Sequence, residues 1–285
     1  MRQRAAVLGS PIAHSLSPAL HRAAYRVLGL DWDYTAVECE IDAFATFFAD
    51  LGEEWMGLSL TMPLKEVVLE QVEHIDPVAR DVGAANTVYR AGAQPGGTWT
   101  ATNTDIVGIV RAVRSAGAHS LESAELLGAG ATARSSVAAL AQLGVTRLRV
   151  RARRVTPAEQ VAAFAESLGM QASVDALSVS ALSQATDADI VISTLPADAA
   201  ATWADMGARS DTALLDTSYF PWPSALATAW KQRRPQAPVA SGRDMLLWQA
   251  VAQVGLMTGA YAGDDLECPS AREVAEAMGA VIHSS

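Results

Sequence analysis

Apolar positions along this chain fall into short runs that switch between two spacings. RAAVLG (4–9) is a continuous apolar run of strand length. PALHRAAYRVLGL (18–30) places Leu20, Ala23, Ala24, Val27 and Leu28 on one side of a helix, and Gly29 is its stop signal. DYTAVEC (33–39) alternates like a strand, DAFATFFADL (42–51) is helical, and WMGLSLT (55–61) is again a strand. RAGAQPGGTWTATNTD (90–105) reads as a Gly-rich turn inside a hairpin, followed by a connecting helix over IVGIVRAVRSAG (106–117). The rhythm then restarts with AELLGAG (124–130), a helix through ARSSVAALAQLG (133–144) and the strand TRLRVRA (146–152). ADIVISTLP (188–196) and ALLDTSY (213–219) supply later strands, and RDMLLWQAVAQVGLMTG (243–259) a long helix. Alternating strands and helices predict an α/β protein with mainly parallel sheets covered by helices, and the restart predicts a second domain.

Composition narrows the classes. With 285 residues, half of them hydrophobic, the chain can bury a substantial core. A net charge of −10 argues against binding nucleic acid through phosphates. Cys39 and Cys268 lie far apart, in no metal-ligand spacing, and read as free thiols of a reducing compartment. The apolar run in MRQRAAVLGSP is too short for a signal peptide, and no segment reaches the roughly 18 apolar residues of a membrane span. The expectation is a cytoplasmic protein with neither nucleic-acid nor membrane partners.

Several polar residues stand at element ends, where chemistry is commonly placed. In GSPIAHSLSP, Ser17 suits a helix N-cap and Pro18 the first helical position. The same junction, with Ser15 and Ser17 beside free N–H groups, also suits a small anion. GAGATAR (128–134) has the pattern G-x-G-x-x-A between a strand and a helix: Gly128 for the tight turn, Gly130 for approach of a pyrophosphate, Ala133 for close packing. No carboxylate ends the next strand. It ends in Ala152-Arg153-Arg154, and the two guanidinium groups suit a ribose 2′-phosphate, hence NADP over NAD. Arg147, Arg149 and Arg151 read as the polar face of that strand. SLTMPLK places Thr61, Pro63 and Lys65 past a strand, Pro63 both ending it and starting a helix. Asn86 in GAANT and Asp105 in NTD, taken singly, suit turns and caps.

Taken in order, GSPIAHSLSP, SLTMPLK, GAANT, NTDIVG, GAGATAR, DTSYFPWP and SGRDMLLWQA resemble the pattern of the shikimate dehydrogenase family over nearly the whole chain. The resemblance implies an enzyme that reduces 3-dehydroshikimate to shikimate with NADPH, on the chorismate route to aromatic amino acids. It implies a substrate-binding α/β domain over 1–105, completed by 243–285, a Rossmann-like NADP domain over 106–242, and a cleft between them. Ser15 and Ser17 match the pair that holds the substrate carboxylate, and Thr61, Asn86 and Gln249 match contacts to the ring hydroxyls or carboxylate. Gln249 reaches that site only if the C-terminal helix returns to the first domain. Tyr219 matches a tyrosine of the cleft, and Lys65 and Asp105 match the catalytic pair. Gly128, Ala129, Gly130, Ala131, Arg153, Arg154, Thr194 and Gly242 fall on cofactor positions, with no metal implied.

The chain departs from the commonest pattern at Ser59, where many relatives have asparagine. It departs again at Ala131 in the glycine loop, at Ala152 and Arg154 in place of Asn and Thr, and at STLP (193–196), a loose form of the nicotinamide-side loop. An NAD-dependent quinate/shikimate dehydrogenase is the nearest alternative, and Arg153, Arg154 and Ser17 weigh against it. A non-catalytic NADP sensor is disfavoured by retention of Lys65 and Asp105. A serine hydrolase on His14 and Ser15 lacks a nucleophile elbow. The partners implied are the small-molecule substrate alone, in a monomer or homodimer.

Overall fold

The computed structural model describes residues 2–176 and 185–284, in two units: Met1–Val107 with Leu247–Ser285, and Gly108–Leu246. The first begins β1 (Gln3–Gly9), α1 (Ser17–Val27), β2 (Trp32–Glu38), α2 (Ile41–Ala49) and β3 (Trp55–Leu60). It continues through α3 (Leu64–Val67), β4 (His74–Ile75), α4 (Pro77–Val82), β5 (Thr87–Arg90) and β6 (Trp99–Thr102), and α5 (Asp105–Ser115) starts in it and runs on into the second. Its sheet runs β2-β1-β3-β5-β6-β4. The β2-β1-β3 part is parallel, as expected of βαβ crossovers. The hairpin β5-β6 adds antiparallel strands, so this sheet is mixed. Continuous apolar sequence produces the buried centre: β3 is buried along its whole length, and Leu8, Leu58, Phe44 and Trp99 share one core.

The start of α1 differs from the expectation. The helix begins at Ser17 itself, Leu16 holds the cap position, and no side chain caps it. Ser15 Oγ instead accepts from the Ser17 N–H at 3.3 Å. Pro18 in the first turn needs no N–H partner, which lets the helix begin one residue early. Gly29, at φ +66°, ends the helix as its stop signal implies.

The second unit runs β7 (Ser123–Leu127), α6 (Ala131–Gln142), β8 (Arg147–Ala152), α7 (Val155–Ser167), β9 (Gln171–Ala176) and β10 (Ile190–Ser193). Then come α8 (Ala197–Ala201), β11 (Ala213–Asp216), α9 (Ala225–Arg233), β12 (Val239–Ser241) and α10 (Gly242–Thr258), whose second half re-enters the first unit. There α11 (Pro269–His283) packs on α1. The second sheet runs β12-β11-β10-β7-β8-β9, all parallel. Numbered within the unit and read from its β9 edge, that is 3-2-1-4-5-6, the doubly wound order, with its reversal between β7 and β10. The hydrophobic pattern does not mark α7, α9 or α11. In α7 three of the four buried residues are alanines, and α9 buries only Leu226, Ala227 and Trp230, so the apolar stripe of each is weak.

The strand β8 corrects the reading of its arginines as one polar face. Arg147 is exposed and Arg149 is partly so, pairing with Asp175. Arg151 is fully buried: its Nε lies 2.7 Å from Glu125 Oε1, and its guanidinium lies 5.9 Å from the Trp203 ring centre. Alternation sets which face these residues take, and the chain packed over that face sets whether they meet water. Trp230 is likewise core, its Nε1 donating to the Thr212 carbonyl at 3.0 Å.

Candidate active site

β1 and β3 are parallel neighbours, so the chain leaves both at one end of the first sheet. The loop after β1 carries Ser15, and the turn after β3 carries Thr61 and leads into α3, which carries Lys65. Backbone bonds join the two exits: Thr61 N–H donates to the Leu8 carbonyl and Ser10 N–H to the Met62 carbonyl, each at 2.9 Å. Gly9 is required for this approach, because a β-carbon there would meet the Thr61 side chain and the Met62 carbonyl. Ser15 and Thr61 are partly buried and Ser17 is buried.

Lys65 lies in the short helix α3, and its carbonyl accepts from the Ala85 N–H at 2.7 Å. That bond brings Asn86 alongside. Asn103 holds the start of α5: its Oδ1 accepts from Asp105 N–H at 3.1 Å and its Nδ2 donates to the Ala84 carbonyl at 2.8 Å. Lys65 Nζ then donates to Asp105 Oδ2 at 2.6 Å, with the two side chains 15% and 5% exposed. The other carboxylate oxygen accepts from Asn86 Nδ2 at 2.8 Å. Asn86 Nδ2 also donates to Gln249 Oε1 at 3.2 Å, and Asn86 Oδ1 accepts from the Thr104 N–H at 2.7 Å and the Thr87 hydroxyl at 2.8 Å. An ammonium held on an oriented, nearly buried carboxylate can donate a proton or stabilise negative charge on a substrate oxygen.

Hydrogen bonds thus bring Lys65, Asp105, Asn86 and Gln249 into one cluster. Ser15, Ser17 and Thr61 stand on the chain that leaves β1 and β3 at the same sheet end. Tyr219 belongs to the second unit, where its carbonyl accepts from Arg243 Nε at 3.3 Å. The motifs left Thr87, Thr104 and Asn103 without a role, although GAANT and NTD contain them. They also left Gln253, one turn after Gln249 on α10, whose signal is a pair of glutamines four apart in an apolar helix. Gln253 Oε1 lies 3.3 Å from His21 Nε2. His21 stacks on Tyr34 with ring centres 3.9 Å apart. Burial holds the His21 imidazole down to about 3, against the smaller opposing effect of the Gln253 hydrogen bond.

In the second unit the glycine loop and Thr194 meet at the reversal between β7 and β10. The Leu127 carbonyl accepts from both the N–H and the hydroxyl of Thr194, at 2.9 and 3.0 Å. Gly128 has φ +117°, and its N–H donates to the Arg151 carbonyl at 2.8 Å; a side chain there would meet Thr194 Oγ1. Gly130 caps α6 with open space where a β-carbon would stand, and Ala129 and Ala131 beside it are partly exposed. Ala133 is fully buried against the sheet. Arg153 and Arg154 are exposed just past β8, Arg154 at the cap of α7. Gly242 opens α10 where a β-carbon would overlap the Thr217 carbonyl, so packing alone demands glycine. An open glycine loop on a helix N-terminus, with two exposed guanidinium groups past the next strand, fits a dinucleotide bearing an extra phosphate.

Residues 7–88 match the family model of the shikimate dehydrogenase substrate binding domain. A shikimate dehydrogenase (NADP(+)) of Thermus thermophilus is 33% identical over 269 residues, 90% of this chain and 92% of that protein. The crystal structure of Mycobacterium tuberculosis shikimate dehydrogenase matches with a TM-score of 0.82 at 37% identity, covering 99% of this chain and 100% of that one. A shikimate 5-dehydrogenase from a second strain of Thermus thermophilus, solved in complex with NADP(H) and shikimate, matches with a TM-score of 0.76 at 28% identity, over 98% of this chain and 99% of that one.

Proposed function

As this chain belongs to the shikimate dehydrogenase family, we propose that it interconverts 3-dehydroshikimate and shikimate with NADP(H), as its relatives' names indicate. The observation that carries the reading is the 2.6 Å contact of Lys65 Nζ with Asp105 Oδ2, steadied by Asn86 and Gln249. Bound NADPH supplies the hydride. Lys65 presents its ammonium to the ketone oxygen as negative charge grows there, and holds the proton that oxygen takes up. Asp105 orients Lys65 and accepts from a ring hydroxyl, and Asn86 keeps Asp105 turned toward both. Ser15 and Ser17 bind the substrate carboxylate with their hydroxyls, and Thr61 and Gln249 contact the ring substituents. In the second unit, Gly128 to Ala131 with Thr194 receive the pyrophosphate and nicotinamide side, and Gly242 serves its edge. Arg153 and Arg154 select the 2′-phosphate: one charged hydrogen bond, about 1.5–3 kcal/mol, favours NADP over NAD by about 10- to 150-fold, and two by up to about 10⁴-fold.

No helix among the described residues is long and apolar enough to cross a membrane. Both cysteines are free, which supports a cytoplasmic setting. The protein acts as a monomer or as a homodimer.

The deciding experiment supplies purified protein with shikimate or quinate, each with NADP⁺ or NAD⁺, and follows nicotinamide absorbance. Reduction confined to shikimate with NADP⁺ is expected. Turnover of quinate with NAD⁺ would reassign the pocket and the arginines. Folded protein that binds NADP⁺ yet reduces it in no combination would make the chain a sensor.

A further inference from the structure

Gln253 is 1% exposed, and its amide is spent on four partners. Its Nε2 donates to Thr87 Oγ1 at 2.9 Å and to the Asn86 carbonyl at 3.3 Å. Its Oε1 accepts from Ser59 Oγ at 2.7 Å and lies 3.3 Å from His21 Nε2. His21 stays neutral in its buried stack, and its tautomer protonated on Nε2 is the one that matches an Oε1 acceptor. Ser59 in turn accepts from the Tyr34 hydroxyl at 2.6 Å, which directs the Ser59 proton at Gln253. The donors on one side of Gln253 therefore fix which end of its amide is oxygen, and that fixes the end facing Thr87.

The consequence reaches the catalytic cluster. Because Gln253 donates to Thr87 Oγ1, the Thr87 proton is turned outward, where Asn86 Oδ1 at 2.8 Å is a nearer acceptor than Thr104 Oγ1 at 3.1 Å. With Oδ1 also holding the Thr104 N–H, the Asn86 amide has one orientation, Nδ2 toward Asp105. We propose that Gln253 is a positioning residue of this enzyme: through Thr87 it sets the direction of hydrogen bonding that makes Asn86 a donor to Asp105. Ser59, Tyr34 and His21 hold Gln253 in the one orientation that does this. The inference rests on the shikimate reading of the preceding subsection.

The test is steady-state kinetics on the full chain as Gln253→Met, as the near-isosteric Thr87→Val, and as the double variant. Each single variant is expected to raise the KM for shikimate and lower kcat/KM by about tenfold or more, with the KM for NADP⁺ unchanged. The double variant is expected to fall within about threefold of the worse single, because both changes interrupt one path. A merely structural glutamine predicts less folded enzyme: kcat falls and both KM values stay. That pattern, defects that multiply in the double variant, or a parallel rise in the KM for NADP⁺ would overturn the proposal. If Gln253→Met does not fold, an unchanged shikimate KM in Thr87→Val overturns it alone. Wild-type turnover of shikimate separates the two layers: active wild type with unshifted variants sinks only the role of Gln253, and inactive wild type sinks the shikimate reading and this role with it.

Discussion

At the scale of single residues, Lys65 and His21 show how burial and partner together set a role. Lys65 is held on an oriented carboxylate, and in the proposed mechanism its loss removes a charge aimed at the reacting oxygen. Lys65→Ala is expected to lower kcat by at least about 10²-fold while shikimate still binds, measured by turnover and by calorimetric titration. Near wild-type kcat in a folded variant removes Lys65 from the mechanism. His21 illustrates the opposite case, a titratable group kept neutral. Its folded value near 3 lies below the unfolded value near 6.5, so between those limits the unfolded chain binds the extra proton. Stability is therefore full above about pH 6.5 and falls on acidification, by at most about 1.4 kcal/mol per pH unit. His21→Phe keeps a ring on Tyr34 and is expected to lose this part of the slope, read as denaturation midpoints from pH 7 to pH 4. A variant with the wild-type slope would show that His21 does not titrate on unfolding.

At the scale of elements, β7 and β8 bury a charge pair that their sequences do not announce. Glu125 and Arg151 are both fully buried, and burial pushes the Glu125 carboxyl up, opposed by a Thr186 hydrogen bond and by the charges of Arg151 and Arg149. Removing one partner leaves the other charge without compensation. Arg151→Met is expected to cost about 3–5 kcal/mol at neutral pH by chemical denaturation. In that variant the folded-state pKa of Glu125 rises further above its unfolded value. The deficit should therefore shrink as pH falls toward the unfolded pKa and Glu125 takes up its proton in the folded state. A second change, Glu125→Leu, should recover much of the loss; a loss that persists would indicate that packing of the Arg151 stem on Trp203 matters more than charge.

At the scale of the whole molecule, each unit owns a six-stranded sheet and its own apolar core. The residues assigned to substrate and to cofactor divide between these units, apart from Tyr219. A ligand that binds only the folded state stabilises by about 2.7 kcal/mol at a hundredfold excess over Kd. Hydrogen-exchange mass spectrometry with shikimate alone should protect amides around Ser15–Ser17, Thr61–Lys65 and Asn86 most. NADP⁺ alone should protect the loop from Gly128 and the turn at Arg153 most. Shikimate protection centred within 108–246 would reverse the division of labour.

Much of this protein is legible in the chain because the relevant forces are local. Strand and helix runs, the stop at Gly29, the turn at Gly128 and the hairpin after Arg90 follow from spacing and from backbone conformations that few residues tolerate. The motifs carry the residues proposed for the site in both units for the same reason: each loop needs its own short pattern. Ser17 marks the limit even here, since its own sequence suits a cap that the start of α1 does not use. Other features depend on what packs above a residue. Arg149 and Arg151 share one face of one strand, and only the chain over that face buries the second. Gln253 acquires its role by meeting Ser59 and Thr87, residues more than 160 positions away. A buried polar group takes its partners from whatever the folded backbone brings within hydrogen-bond reach, and spacing along the chain carries no record of that distance.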